Sequence, residues 1–151
     1  MTKNNTENTV KTPAAGTPDN PATPDLVNHP PHYAGESVVV ECVDIARHLS
    51  FCRGNAFKYI WRAGRKGDAV EDIQKAIWYL RRESMAPPSA EAVAVFSLLP
   101  FSNKPIRNEK DEIASFRWRI MYKIVHGLDA LYDAQEYEQF MKDKQRREHE
   151  E

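Results

Sequence analysis

The sequence has few cysteines, no long apolar run and almost no net charge, and each of these absences excludes a class of protein. Two cysteines in 151 residues are too few for the disulfide framework of a small secreted domain. No basic and then apolar stretch of the secretory kind opens the sequence, and no apolar run has the length of a membrane span. We therefore expect a soluble protein of a reducing cytoplasm with no membrane partner.

The formal net charge of −1 provides no overall field that would attract nucleic acid or an anionic membrane. Any anion must therefore bind to a local basic cluster, and specific nucleic-acid binding is not expected. One such cluster exists. The stretch 53–66 carries five basic side chains and no acidic one, and apolar residues recur through it at helical spacing, unlike in a disordered basic tail.

The sequence contains no internal repeat and no sustained strand alternation, so we predict an all-α fold. Residues 1–26 hold only two large aliphatic side chains and are predicted to form a disordered arm. A small helical domain is predicted to follow at 27–84. The remainder is predicted to be a linker with a short apolar helix at 85–110 and a C-terminal helix with a charged tail at 111–151.

Local signals mark where the predicted helices begin and end. Asp68 and Glu71 have the spacing of a capping box, and Gly64 can supply a left-handed C-terminal cap. Because only a short turn separates the second and third helices, we expect them to form a helical hairpin. Apolar residues at three- and four-residue steps predict helices at about 39–49, 53–63, 69–82, 90–99 and 111–144.

Three side chains of the basic stretch are predicted to share one face of the second helix. Asn55, Lys58 and Arg62 lie at i, i+3 and i+7, and Arg65 and Lys66 follow in the turn. Guanidinium and ammonium groups suit phosphate oxygens, the amide adds a directional hydrogen bond, and the third helix points its free N–H groups at this turn. The alternative is a solvated helix face whose basic side chains cover apolar surface.

Carboxylates on neighbouring helices form the other half of the predicted site. Glu41 and Asp44 lie three residues apart on the first helix, and Asp72 lies on the third. Such carboxylates can hold Mg²⁺ between the protein and a phosphate chain. Ordinary pairing is the alternative, with Asp44 bound to Arg47 or His48.

The motif NHPPHY precedes the helices, and its two prolines keep the backbone extended. His29 and His32 can bind substrate or transfer a proton, because an imidazole titrates near neutrality, and Tyr33 can stack on a base. Zinc is not expected, because Cys42 and Cys52 lack the close pairing of a zinc site. Other aromatic residues are expected in the core, namely Tyr59, Trp61, Trp78 and Tyr79.

The sequence contains three separated motifs, NHPPHY, ECVDIARHL and FCRGNAFKYIWRAGRKGDAVEDIQKAIWYLRR. Together they resemble a family of conserved bacteriophage proteins. That family is long labelled as of unknown function, and its characterised relative is a nucleotide kinase of a lytic coliphage. The resemblance covers 27–82, and it implies that the helical domain at 27–84 binds nucleotides. It implies a protein of the host cytoplasm that transfers a phosphoryl group from a nucleoside triphosphate to a deoxynucleoside monophosphate, using Mg²⁺ and ATP, as a homo-oligomer. The matching positions are Asn28, His29, His32, Tyr33, Glu41, Asp44, Gly54, Asn55, Lys58, Tyr59, Arg62, Lys66, Asp72, Lys75 and Tyr79.

Candidate roles combine the residue chemistry with this resemblance. The sequence has no G-x-x-x-x-G-K-[ST] phosphate loop, so the basic stretch would have to hold the phosphates. The catalytic candidates are His32, Asp44, Lys58 and Arg62. The candidates for binding substrate and phosphate are His29, Tyr33, Asn55, Arg65 and Lys66. The metal candidates are Glu41, Asp44 and Asp72.

Two other functions remain open. The order of acids and bases is loosely similar to that of the all-α, Mg²⁺-dependent nucleoside triphosphate pyrophosphohydrolases. However, Glu71 and Asp72 are adjacent, so the second metal motif of those enzymes is missing. The other alternative is a non-catalytic nucleotide-binding or host-interaction protein that uses the same basic face, with the apolar helix at 90–99 as a docking surface.

Overall fold

The computed structural model describes residues 40–100 and 107–150, and within them the fold is all-α, as predicted, with no β-strand. None of the helices in these two segments is long and apolar enough to cross a membrane. The predicted arm at 1–26 and the NHPPHY motif lie outside the described residues. The helices are α1 (Cys42–Ala46), α2 (Phe51–Arg62), α3 (Ala69–Leu80), α4 (Ala90–Phe96), α5 (Glu109–Val125) and α6 (Leu131–Glu150).

The helices α2 and α3 form the predicted hairpin and pack more extensively on each other than any other pair in the described segments. The hydroxyl of Ser50 caps α2 by accepting the backbone N–H of Arg53 at 3.3 Å, and Asp68 caps α3 by accepting the N–H of Val70 at 2.8 Å. Gly64 has a φ of 78°, the left-handed conformation expected just after a helix. Local capping chemistry therefore defines both ends of the connecting turn.

One hydrophobic core connects all six helices, and α6 covers the hairpin by packing on α3. Burying a large apolar side chain stabilises a fold by about 1.5–3 kcal/mol, so these contacts fix the hairpin in place. The large apolar side chains of this core include those of Ile45, Phe57, Ile60, Trp61, Ile73, Leu80, Phe96, Ile120, Ile124 and Tyr137.

The structure divides the predicted C-terminal helix into α5 and α6. Gly127 lies in the break with a φ of 73°, and a Cβ atom there would lie 1.9 Å from the carbonyl oxygen of Ala86. The helical spacing of apolar residues continues across this break, which is why periodicity alone predicts a single helix. Ion pairs between Arg119 and Glu136 and between Glu109 and Arg147 show that α6 runs antiparallel to α5.

The first helix is shorter than the predicted 39–49. It ends at Ala46, and the chain then turns so that Ser50 can begin α2. A Cβ atom on Gly54 would lie 3.0 Å from the carbonyl oxygen of Ala46, so the end of α1 packs directly against the backbone of α2. This close approach positions the first turn of α2 beside α1.

Candidate functional site

One surface of the hairpin collects aromatic rings and basic side chains, and we call it the α2–α3 face. Residues 51–82 contain eight basic and three acidic side chains, a net charge of +5, whereas the whole chain carries −1. The remainder of the chain therefore carries −6, so charge is strongly segregated. The α2–α3 face consists of Phe51, Asn55, Lys58, Tyr59, Arg62, Lys75, Trp78, Tyr79 and Arg82.

Three cations surround the ring of Tyr59. Measured to the ring centroid, Lys58 Nζ lies at 4.5 Å, Arg62 Cζ at 5.2 Å and Lys75 Nζ at 5.7 Å. These distances fall within the range of cation–π attraction, about 6 Å. The Tyr59 ring is partly exposed, so an anionic ligand placed beside it would lie close to all three cations.

Two of these cations are bound to carboxylates of α3. Arg62 donates from Nε to Asp72 at 3.0 Å and from a second nitrogen to the other carboxylate oxygen, and Asp72 is only 2% exposed. This bidentate pair joins the helices close to their connecting turn, and breaking it would leave a buried charge without its partner. Lys75 donates to Glu71 at 2.5 Å, and that hydrogen bond raises the pKa of Lys75.

Lys58 is bound to a neutral group instead. Its Nζ donates to the amide oxygen of Asn55 at 3.1 Å, and the amide nitrogen of Asn55 donates to the backbone carbonyl of Phe51 at 2.8 Å. Within the part of the chain that the structure describes, no carboxylate forms an ion pair with Lys58. Lys58 is therefore the cation of this cluster whose charge is most available to an incoming phosphate.

Four aromatic rings continue the face beyond the cations, with Tyr79 at their centre. Its ring centroid lies 6.1 Å from that of Tyr59 in a stacked arrangement, 6.0 Å from that of Phe51 and 4.9 Å from that of Trp78. The guanidinium carbon of Arg82 lies 3.0 Å from the centroid of the Trp78 ring. Phe51 is 77% exposed and Trp78 50% exposed, so the face offers rings to a ligand.

The expectation that Trp78 belongs to the core is corrected by this geometry. Trp78 follows Gln74 by four residues and Lys75 by three, which places it on the outer side of α3, whereas Ile73, Ile77 and the other apolar residues form the inner side. Sequence reasoning also left Phe51 and Arg82 out of the site. The signal that could have found them is the i, i+4 spacing of Phe51 with Asn55 and of Trp78 with Arg82.

Two of the predicted metal ligands, Asp44 and Asp72, form hydrogen bonds with other groups of the protein. Asp44 Oδ2 accepts the backbone N–H of Glu41 at 2.8 Å and so caps the short helix α1, while Asp72 is bound to Arg62. Among residues 40–100 and 107–150, no three His, Cys, Asp or Glu side chains form a group that could hold a metal ion. Asp44 is therefore engaged by the backbone at the start of α1, and Asp72 by the guanidinium of Arg62.

The rest of the basic stretch is divided between structure and surface. Arg53 is 1% exposed and its guanidinium donates to backbone carbonyls after α3 and at the end of α5, so it stabilises the fold rather than the site. Arg65 lies over Trp61, with 5.4 Å between Cζ and the ring centroid, and Lys66 is exposed in the turn. The candidates His29, His32 and Tyr33 lie outside the described residues.

Comparison with known proteins gives one finding of similarity. Residues 27–81 match the model of a family described as a protein of unknown function (DUF3310), and this segment includes α1, α2 and α3. No curated protein and no solved structure matches the chain. The matched segment contains nearly all of the α2–α3 face, and the family's description assigns it no activity.

Proposed function

We propose that the α2–α3 face binds the phosphate groups of a nucleotide, and that the protein transfers a phosphoryl group from a nucleoside triphosphate to a deoxynucleoside monophosphate. The observation that carries the binding proposal is the convergence of Lys58, Arg62 and Lys75 on the ring of Tyr59. The phosphoryl-transfer proposal rests on the resemblance to the bacteriophage family. The two parts are therefore tested separately.

The binding proposal assigns different tasks to the cations. Lys58 exchanges its hydrogen bond with the amide of Asn55 for one to a phosphate oxygen, and the freed amide oxygen remains available to a hydroxyl group of the ligand. Arg62 stays bound to Asp72 and keeps the two helices in register. The exposed ring of Phe51 or Trp78 then provides a stacking surface for the base.

Phosphoryl transfer requires mainly positioning and neutralisation of charge, which a cluster of cations can supply without a phosphate loop. Asp44 accepts the N–H of Glu41 and Asp72 binds Arg62, so we expect Mg²⁺ to enter as the complex it forms with the triphosphate. The general base would come from His32 of the NHPPHY motif. A homo-oligomer in the host cytoplasm is part of the same proposal.

The test is to incubate the purified protein with ATP, Mg²⁺ and each deoxynucleoside monophosphate in turn, and to resolve the products by ion-exchange chromatography. A kinase yields diphosphates from both nucleotides, and this is the expected result. Pyrophosphate released from a triphosphate alone would show a pyrophosphohydrolase instead. Saturable binding without any product would show a non-catalytic nucleotide-binding protein and would overturn the phosphoryl-transfer part.

A further inference from the structure

We propose that the α2–α3 face also binds single-stranded nucleic acid, independently of its sequence. This inference goes beyond the proposed function, because a mononucleotide needs one ring and one group of cations. The face instead presents a row of rings, with cations at both ends, at Lys58 and at Arg82. Sequence-independent binding to single strands uses this combination of stacking platforms and positive charge.

The row of rings is long enough for several bases. Phe51 and Tyr59 are eight residues apart on α2, which corresponds to about 12 Å at a rise of about 1.5 Å per residue. The Tyr79 ring bridges them, with centroid distances of 6.0 Å and 6.1 Å. Since bases along one strand are about 3.4 Å apart, the row can face about three successive bases.

The ends of the row are exposed in a way that favours a stacking ligand. Phe51 is 77% exposed and has one described ring contact, with Tyr79. Trp78 is 50% exposed and its ring carries the guanidinium of Arg82. An exposed aromatic ring buries its apolar surface when a base stacks on it, and arginine stacks on bases as readily as on rings.

Charge decides between a nucleic acid and a second copy of the chain. A twofold contact would place the same surface of both copies together. Lys58 and Arg82, which form no ion pair with a carboxylate among the described residues, would then face the same cations of the other copy. A nucleic acid instead brings negative phosphates to these cations. Its bases also cover the aromatic rings, which an acidic peptide would leave exposed. The chain's overall charge of −1 hides this segregation, and backbone contacts of this kind carry no sequence specificity.

The test is fluorescence anisotropy with a labelled thymidine oligonucleotide of about twelve nucleotides. We expect Phe51→Ala to weaken binding about tenfold, because stacking of one base contributes about 1–3 kcal/mol. The matched control is Tyr132→Ala on α6, where an aromatic residue is 69% exposed, and it should change the affinity less than twofold. Lys75→Ala should reduce the magnitude of the slope of log affinity against log salt by about 0.7, while its control Lys142→Ala should leave that slope unchanged.

Three outcomes would overturn the inference, and they separate it from the proposed function. Mononucleotide binding that does not tighten with the length of the strand would remove this inference and leave the proposed function in place. If Phe51→Ala keeps the circular dichroism spectrum of the parent and also its affinity for the oligonucleotide, the Phe51 ring does not stack on a base. A lowered solution mass for that variant, with unchanged affinity, would make the face a contact between copies. Oligonucleotide binding without any mononucleotide binding would instead overturn the proposed function alone.

Discussion

Replacing Arg53 by Met should lower the free energy of unfolding more than replacing an exposed arginine does, because the buried guanidinium of Arg53 joins three parts of the chain. Its nitrogens donate to the carbonyl oxygens of Ile124 at 2.8 Å and Lys123 at 3.1 Å in the last turn of α5. They also donate to Leu128 at 2.8 Å and to Ser84 at 2.5 Å. The C-terminal end of a helix carries a partial negative charge, so the guanidinium of Arg53 is well matched to the end of α5.

The size of the effect follows from these four acceptors. A net hydrogen bond contributes about 1 kcal/mol, so the loss of all four gives about 4 kcal/mol. Arg53→Met keeps an apolar stem of similar shape and therefore isolates the loss of the guanidinium. Arg53→Lys should recover only part of the stability, because an ammonium group cannot reach carbonyls on several sides.

Urea unfolding followed by circular dichroism measures this difference, with the exposed Arg81→Met as the control. With a slope of about 2 kcal/mol per molar urea, the midpoint of Arg53→Met should fall by about 2 M, whereas that of the control should stay close to the parent. Equal midpoints for Arg53→Met and Arg81→Met would refute the reasoning, since the hydrogen bonds of the guanidinium would then contribute nothing to stability.

Two further predictions concern the turns and the core. Gly127→Ala should destabilise the fold by about 3 kcal/mol or more, because the new Cβ would lie 1.9 Å from the carbonyl oxygen of Ala86. Gly64→Ala should cost only about 1 kcal/mol, because Gly64 has a φ of 78° and its new Cβ would meet nothing within 4 Å. Equal losses of stability in urea unfolding would contradict this difference. Burial raises the pKa of the Cys42 thiol from 9.0 to about 12, so the thiol loses its proton at a lower pH in the unfolded chain than in the folded one. The free energy of unfolding therefore falls as the pH rises above the pKa of the thiol in the unfolded chain. Relative to Cys42→Ala, the parent should therefore lose about 1.4 kcal/mol by about pH 10, and a pH-independent difference between the two would refute the assignment.

The hairpin could be predicted because its signals are local. The cap at Asp68 and the left-handed Gly64 lie next to the ends of the helices they define, and the apolar stripe of α3 continues without a break after Asp68. The division between α5 and α6 could not be predicted in the same way. It depends on the approach of Ala86 to Gly127, a contact between residues far apart in the sequence.

The shared helix face of Asn55 and Lys58 could be predicted from the sequence, whereas the contacts made by the other candidate residues could not. Asn55 and Lys58 are hydrogen-bonded to each other on the predicted face, since helical spacing places them there. Arg53 lies on the buried stripe with Phe57 and Ile60, so its phase already separated it from the surface cations. The pairing of Arg62 with Asp72 depends on how the two helices pack, and periodicity within one helix does not encode that.

The central claim is that Lys58 and its neighbours hold the phosphates of a nucleotide. Isothermal titration of a deoxynucleoside triphosphate tests it most directly, with the parent, Lys58→Ala and Lys142→Ala compared under the same salt. Lys142 is the control because it is a partly exposed lysine on α6, away from the α2–α3 face. We expect equal affinity for the parent and Lys142→Ala, and about tenfold weaker binding, about 1.4 kcal/mol, for Lys58→Ala. Equal affinity for all three proteins, or no binding to any of them, would contradict it.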